Sequence, residues 1–350
     1  MSSLLAFLAL LGVTLAWLAL PLVPALRELF RPSDIAPLKV VDRSSGHVAY
    51  FARNFRQYLE RALPPEAGVG DYAGKLLDGT EFVRVNLRPA ALEEAAQQTQ
   101  GRIVVLDTPL TLPEGGTYLL EVYARAPLSA GSKSVFRALY AEGELVLGEG
   151  TQVLRWAHAV GKLHVGAHSV LRGRISSDAA VSLGGDVVFE RIGAPVIAVG
   201  AEQDPPPAPP AAPQNFRLPE GARRIGDHVR IEGDLEIPEG VLVGSNLVVA
   251  GRLRIGMGTI VDGSVTAHGE LELADEAQVT GSAVSRTRLM VGQAAWIGGA
   301  AIAEGKIRLG RGAVVGSPAR PATVAAPEIE LTTGATVYGQ ISAMRGARTL

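Results

Sequence analysis

The chain contains no cysteine, and only 5% of its residues are aromatic. The absence of cysteine excludes disulfide bonds, thiolate metal sites and cysteine nucleophiles. Scarce aromatics and 41 glycines favour tight turns around a narrow aliphatic core over a thick layered domain. An excess of one charge is also lacking, since 33 basic residues face 35 acidic ones, and we expect no nucleic-acid partner.

A long uncharged run lies at the N-terminus. Residues 4–26 are rich in Leu and Ala, and about 20 such residues cross the hydrocarbon core of a bilayer as a helix. We therefore expect a single-pass transmembrane helix over residues 4–26. A cleaved signal peptide is the alternative, with Val23-Pro24-Ala25 as a weak cleavage site, but the usual basic residues before the apolar run are missing.

The flanks of this run predict its orientation. Basic residues follow the run and none precedes it, the nearest being Arg27, Arg31, Lys39 and Arg43. The positive-inside rule then places the N-terminus outside and the body of the protein in the cytoplasm.

Residues 27–106 do not repeat, and they predict a small α/β juxtamembrane region. Apolar spacing predicts a helix over residues 49–63, while residues 82–87 and 103–106 are typical of strands. A second helix is predicted over residues 89–100. The first helix either lies on anionic lipid or packs within the α/β region, and we favour packing.

From residue 143 the sequence repeats every 18 residues. Two units show the pattern: GRLRIGMGTIVDGSVTAH from Gly251 and GELELADEAQVTGSAVSR from Gly269. Nine units carry large apolar residues at positions 3, 5 and 11; position 3, for example, holds Leu145, Leu163, Val181, Leu235, Leu253, Leu271, Leu289, Ile307 and Ile329. Inward pairs two residues apart recur every six residues, which predicts three short strands per turn. The fold class is therefore all-β, a three-sided parallel β-helix solenoid over residues 107–344.

Outward positions of successive units alternate in charge. Position 4 runs Glu236, Arg254, Glu272, Met290, Arg308 and Glu330. Stacked units lie about 4.8 Å apart, and like charges at that distance would repel. The alternation therefore predicts in-register stacking.

A Pro-rich segment interrupts the repeat over residues 200–215. Such a segment has few backbone donors and favours polyproline II. Gly143 and Gly233, which begin units before and after it, are 90 residues apart, five times 18. The preserved phase favours a loop extruded from one continuous helix, and a linker between two helical blocks is the alternative.

The sequence shows no pattern typical of a catalytic, cofactor or metal site. The six histidines are His47, His158, His164, His168, His228 and His268. His164 and His168 fall at outward or corner positions and are interpreted as solvated surface. Ser176, Ser177 and Asp178 are interpreted as a corner. We therefore expect that the protein is not an enzyme and that it has no catalytic residues, no cofactor and no metal site.

The 18-residue coils with alternating aliphatics and glycine corners resemble the bactofilins, bacterial polymer-forming cytoskeletal proteins, over residues 107–344. The resemblance implies a right-handed β-helix that stacks end to end into nucleotide-free filaments, often at membranes. The N-terminal extension and the Pro-rich interruption depart from that family.

Two other classes are alternatives. Residues 291–301 and 309–313 match the hexapeptide of left-handed acyltransferases, but position 17 holds small residues such as Ala159, Ala267 and Ala303 where that family needs a large aliphatic one. An exported carbohydrate-binding or adhesive β-helix is the other alternative.

These features predict a membrane-anchored structural scaffold whose β-helix faces the cytoplasm at the bacterial inner membrane. The last coil points Ile329, Leu331, Val337 and Ile341 inward, and only residues 345–350 follow Met344. An open apolar end of this kind would pair with a second copy. We therefore expect self-association through the C-terminal coil, as dimers or short polymers that organise protein clients.

Overall fold

The computed structural model describes residues 2–19, 48–63, 72–85, 100–202, 204 and 214–350. The chain forms two compact units, Met1–Gly46 and His47–Leu350. In the described residues it has two helices and 32 strands, which build a solenoid of about 14 turns. The β-helical solenoid and its repeat, predicted from the sequence, are thereby confirmed, while the handedness of the coil stays a prediction.

The first unit contains helix α1 (Ser2–Ala19), which carries no charged residue. Within the described ranges, no helix combines the length and the apolarity that a membrane crossing requires. Residues 20–26 of the predicted transmembrane helix and the basic residues 27–43 lie outside those ranges.

The second unit begins with α2 (Tyr50–Ala62), which matches the predicted helix over residues 49–63. Strands β1 (Tyr72–Lys75) and β2 (Glu81–Val85) form an antiparallel hairpin. Strand β3 (Ile103–Leu106) then pairs with β2 in parallel. Most of the predicted second helix, residues 89–99, lies outside the described ranges.

The first block of the solenoid continues from β2 and β3 through ten further strands. They are β4 (Leu110–Leu112), β5 (Thr117–Ala124), β6 (Leu128–Ala130), β7 (Val135–Ala141), β8 (Leu145–Leu147), β9 (Gln152–Ala159), β10 (Leu163–Val165), β11 (Val170–Ser177), β12 (Ala180–Leu183) and β13 (Val188–Val199). All pairings within this block after the β1–β2 hairpin are parallel. Leu145, Leu163 and Val181 stack directly on one another.

The second block follows the Pro-rich segment. Its strands are β14 (Gln214–Asn215), β15 (Arg223–Ile225), β16 (His228–Ile231), β17 (Leu235–Ile237), β18 (Val241–Val243), β19 (Asn246–Val249), β20 (Leu253–Ile255), β21 (Ile260–Val261), β22 (Val265–Ala267), β23 (Leu271–Leu273), β24 (Gln278–Val279), β25 (Ala283–Ser285), β26 (Arg288–Val291), β27 (Trp296–Ile297), β28 (Ala301–Ala303), β29 (Lys306–Leu309), β30 (Val314–Val315), β31 (Ala322–Leu331) and β32 (Thr336–Thr349). Each coil here has three faces, as β20, β21 and β22 show.

The predicted inward residues form the core. Every residue assigned to positions 3, 5 and 11 of the repeat is buried, and their side chains belong to one apolar cluster that runs through both blocks. Stacking has a register of one repeat, so that Leu253, Leu271 and Leu289 lie one above another.

Position 8 of the repeat turns one corner of each coil. Its backbone has positive φ throughout, as in Gly150, His168, Asp186, Gly240, Gly258, Glu276, Ala294 and Gly312. A left-handed conformation favours glycine because side chains with a Cβ are strained there. The recurrence of glycine at this position therefore follows from the corner geometry.

The two blocks meet in an antiparallel seam between β13 and β32, the last strand of each block. Ile197 lies opposite Val337 and Ile192 opposite Ile341 in this seam. Both blocks therefore join tail to tail, which favours the alternative of two blocks over one continuous helix. The preserved phase of 18 did not distinguish the two arrangements, because in-phase units arise whichever way the second block points.

The prediction of an open C-terminal end is wrong. Val337 and Ile341 are buried, and β13 occupies the strand edge that β32 would otherwise expose. The six residues after Met344 are the only cover that proximity in the sequence suggests. The actual cover is a strand that precedes β32 by more than 130 residues.

Candidate functional site

A cleft of about 440 Å³ opens where α2 approaches the seam. Its lining comes from the N-terminal turn of α2, from the end of β11 and the start of β31, and from the middle of β13 and of β32. Gly193 forms part of the floor, and Val48 covers it so closely that an added Cβ would lie 3.1 Å from a Val48 methyl group.

One column of outward-facing residues crosses this region. Tyr140, His158 and Ser176 occupy equivalent positions in three successive coils, and Gly193 follows in β13. The column continues across the seam, where Gln340 lies opposite Gly193. Parallel register places residues 18 apart side by side, so an aromatic, a histidine and a hydroxyl become neighbours.

A polar network under α2 includes this column; its His158 and Ser176 side chains are buried, whereas Asp178 and Arg53 are partly exposed. His158 Nδ1 lies 2.8 Å from Ser176 Oγ, and His158 Nε2 lies 3.6 Å from Asp178 Oδ2. Arg53 of α2 donates to Asp178 Oδ1 at 2.9 Å. The network thus ties the helix to two coils of the first block.

Serine, histidine and aspartate in this order are the groups of a nucleophilic triad. Here Ser176 is only 4% exposed and His158 is fully buried. A nucleophile must reach its substrate, so this burial favours a structural role for the network. The Ser177 hydroxyl donates to Gly161 O and accepts the amides of Ala179 and Ala180, as a corner residue does.

This network is not among the features predicted from the sequence, which indicates only a corner at residues 176–178 and no partner for His158. The signal was available, because His158 and Ser176 are one repeat of 18 residues apart and a parallel coil must stack them.

The exposed histidines lie beside carboxylates. His164 Nε2 is 3.1 Å from Glu144, and His168 lies 3.8 Å from Glu149 and 3.5 Å from Asp186. In the described part of the chain, no group of three or more His, Asp or Glu side chains could hold a metal ion. His47 lies outside the described residues.

The alternating charges of the second block form ladders. Arg254 lies between Glu236 and Glu272, at 3.5 and 3.8 Å, and Arg288 lies 3.1 Å from Glu270. Exposed pairs of this kind contribute little individually. Their regular sequence fixes the register and gives the second block an outer face of mixed charge.

A tighter ion network lies near the seam. Glu330 is buried and accepts from Lys306 Nζ at 2.8 Å and from the Arg348 guanidinium at 2.5 Å. The hydrogen bond from the Lys306 ammonium is the main cause that holds the pKa of Glu330 below its usual range, and the Arg348 guanidinium has a smaller effect in the same direction. Because Arg348 pairs with Val188 across the seam, this carboxylate braces the junction.

The two blocks, joined at the seam, form a rod. The outer ends of this rod are the first coils of the two blocks. Among the described strands, β4 pairs only with β6, and β17 pairs only with β20. Each therefore keeps one strand edge without a β-partner. Phe216, Leu218 and Ala222 pack against the core at the end that β17 belongs to.

A comparison with protein families, curated proteins and solved structures finds no match to this chain. The bactofilin resemblance stays a prediction.

Proposed function

We propose that the protein is a membrane-attached β-helical scaffold that self-associates through the ends of its rod and positions partner proteins at the cytoplasmic side of the bacterial inner membrane. The observation that carries this proposal is the seam. It joins two solenoid blocks into one hydrogen-bonded stack, and at about 4.8 Å per turn the rod extends for roughly 65 Å.

The core supports a structural role. Aliphatic side chains fill it from one block through the seam into the other. A close-packed interior gives stiffness because each side chain is held by its neighbours. A stiff rod of defined length is what a scaffold needs to hold partners apart.

Self-association is proposed at the first coils, since the C-terminal coils cover each other. The edges of β4 and β17 present unpaired backbone groups, which pair readily with another strand. An end of one block that meets an end of another would form an antiparallel contact like the internal seam.

The β17 end also limits growth. Arg223 and Arg224 are exposed on the neighbouring short strand, and Glu236 projects from β17 itself. Charged residues on short edge strands oppose unlimited pairing. We therefore propose dimers or short polymers rather than long filaments.

Attachment to the membrane is proposed through residues 4–26. The experiment is flotation of the full chain with lipid vesicles, followed by sedimentation of the floated protein after solubilisation. A chain that stays soluble without vesicles and monomeric at high concentration would overturn the scaffold proposal.

An edge variant tests the rod ends. Leu235 N donates to Arg252 O in the next coil, so the adjacent Glu236 amide points to the free end. Glu236→Pro removes that donor without breaking the ladder, and we expect it to abolish contacts through the β17 end and to leave at most dimers formed through β4. Glu236→Gln keeps the amide and should keep the contacts through the β17 end.

A further inference from the structure

Helix α2 has two unlike sides. Ala52 and Leu59 are buried against the first block. Phe51 and Tyr58, seven residues and two turns apart, lie on a flank that is exposed, at 48% and 40%. Tyr50 is exposed beside Phe51, with ring centroids 5.5 Å apart. The helix therefore exposes aromatic side chains on its solvent-facing flank.

The β1–β2 hairpin adds an aliphatic tip to this flank. Leu77 lies in the turn and is 92% exposed, the highest value of any large apolar residue in the described chain. Tyr58 holds the turn in place, since its hydroxyl donates to Asp78 at 2.6 Å. A groove of about 340 Å³ separates hairpin and helix, with Tyr58, Ala62 and Leu77 on its walls. We call Tyr50, Phe51, Tyr58 and Leu77 the aromatic patch.

One cation of the first block contacts the aromatic patch, since the Arg174 guanidinium of β11 lies over the Phe51 ring, 4.7 Å from its centroid, whereas the paired charges of α2 lie beside the patch. Arg53 pairs with Asp178 on the opposite flank of α2, and Arg56 pairs with Glu60 and Glu142. Within the described residues, Arg61 has no ion pair, and it borders the groove together with two amides, Asn54 and Gln57. Asp78 is the one carboxylate there, and it is engaged by Tyr58 and by the Thr80 amide.

Aromatic rings, an aliphatic side chain, amides and the two cations Arg61 and Arg174 match the interfacial zone of a bilayer. Tyr rings prefer that zone because one end is apolar and the other is hydrated. Arg places its stem in the apolar layer and its head among phosphates. Two cations against the one carboxylate of Asp78 leave only a small net charge, which favours insertion driven by apolar burial over attraction to anionic lipid.

The chain itself favours this partner. Residues 27–47 separate Val48 from the apolar run of residues 4–26. The 22 residue steps from Leu26 to Val48 span at most about 75 Å at full extension. Tethering makes docking intramolecular, so a weak surface is occupied at an effective concentration of about millimolar.

We propose that the aromatic patch inserts into the headgroup region of the bilayer that holds the N-terminus and thereby fixes the orientation of the rod. The inference rests on the proposed membrane attachment. It assigns α2 a second role, in which its buried side docks on the solenoid and its exposed flank docks on lipid.

The absence of cysteine allows a direct test. Leu77→Cys in the full chain, labelled with an environment-sensitive fluorophore, reports on the patch. Met257→Cys is the matched control, because Met257 is an exposed apolar residue of the second block, 52% accessible. Both proteins are bound to phosphatidylethanolamine–phosphatidylglycerol vesicles with and without brominated lipid.

We expect a blue shift and strong quenching by brominated lipid at position 77, and neither at position 257. A chain that floats with vesicles while the label at 77 stays in water overturns the docking inference alone. Shielding from an aqueous quencher without quenching by brominated lipid would assign the patch to a protein contact instead. A chain that does not float overturns both this inference and the proposed attachment.

Discussion

Ile192 and Ile341 lie directly opposite each other across the antiparallel seam, and both side chains are fully buried. They belong to the last coils of the two blocks. Each coil therefore covers an apolar edge that the other would otherwise expose to solvent or to another chain. One polypeptide thus contains internally the tail-to-tail contact that two single-block chains would make as a two-fold dimer.

An engineered disulfide tests the seam. Arg191 and Ser342 face outward as opposed residues on β13 and β32, and opposed Cα atoms in antiparallel strands are about 4.5–5.5 Å apart, within disulfide range. Arg191→Cys with Ser342→Cys should form an intramolecular disulfide in the monomer, detected as faster migration on a non-reducing gel.

The control pairs Arg191→Cys with Ile302→Cys. Ile302 lies in the same column two coils beyond Ser342, too far for a disulfide. Efficient crosslinking of the control, or none of the first pair, would rule out the tail-to-tail seam.

The length of the Pro-rich connection determines whether the seam closes within one chain. Ala198 and Asn215 lie on one face, separated by seven ladder spacings through β32, β30, β27, β24, β21 and β18. Seven spacings of about 4.8 Å require roughly 34 Å, which 17 residue steps cover easily in polyproline II.

Deleting residues 205–212 leaves nine steps, about 32 Å at full extension. The second block then cannot reach the seam of its own chain, and we expect exchanged dimers by light scattering. Replacing the same eight residues with Gly and Ser keeps the length and should leave the seam within one chain. A deletion variant whose seam still closes within one chain would show that the blocks do not need the full connection.

Local patterns explain what could be predicted. Inward residues such as Leu271 were identified because a parallel coil buries the same positions in every turn. The order Glu236, Arg254, Glu272 predicted the register because stacked like charges repel. Both signals depend on residues one repeat apart, so the inward positions and the register can be predicted from the sequence.

The direction in which the second block runs relative to the first cannot be predicted from the repeat. The pairing of Ile192 with Ile341 depends on which way the second block points, and an 18-residue period is the same in either direction. The contact of Arg53 with Asp178 depends similarly on where α2 docks. Neither the seam nor the docking of α2 produces a periodic pattern in the sequence.

The inward–outward assignment has a direct test in adjacent residues. Leu271 is fully buried between Leu253 and Leu289, whereas Glu270 points outward to Arg288. Leu271→Asp buries an unpaired carboxylate and should cost about 4 kcal/mol. Glu270→Gln loses one exposed ion pair and should cost less than about 1 kcal/mol. Urea unfolding measures both, and equal losses would contradict the assignment.

The Glu330 network should make part of the stability depend on pH. Lys306 and Arg348 hold the pKa of Glu330 below its ordinary value of 4.5 in the folded state. The folded protein therefore binds this proton more weakly than the unfolded chain does. Its stabilising contribution is complete above the unfolded pKa and is lost as the pH falls through the lower folded value.

Glu330→Gln should therefore destabilise the protein at pH 7 by about 1 kcal/mol, a modest value because Arg348 is more than half exposed and solvent screens that contact. The difference from the parent chain should shrink progressively below pH 4.5. Glu328→Gln is the matched control, since Glu328 lies on the same strand but pairs with Arg345 at the exposed surface. Chemical denaturation across this pH range measures both variants. A Glu330 difference that stays constant with pH, or equals that of Glu328, would show that the buried carboxylate does not brace the seam.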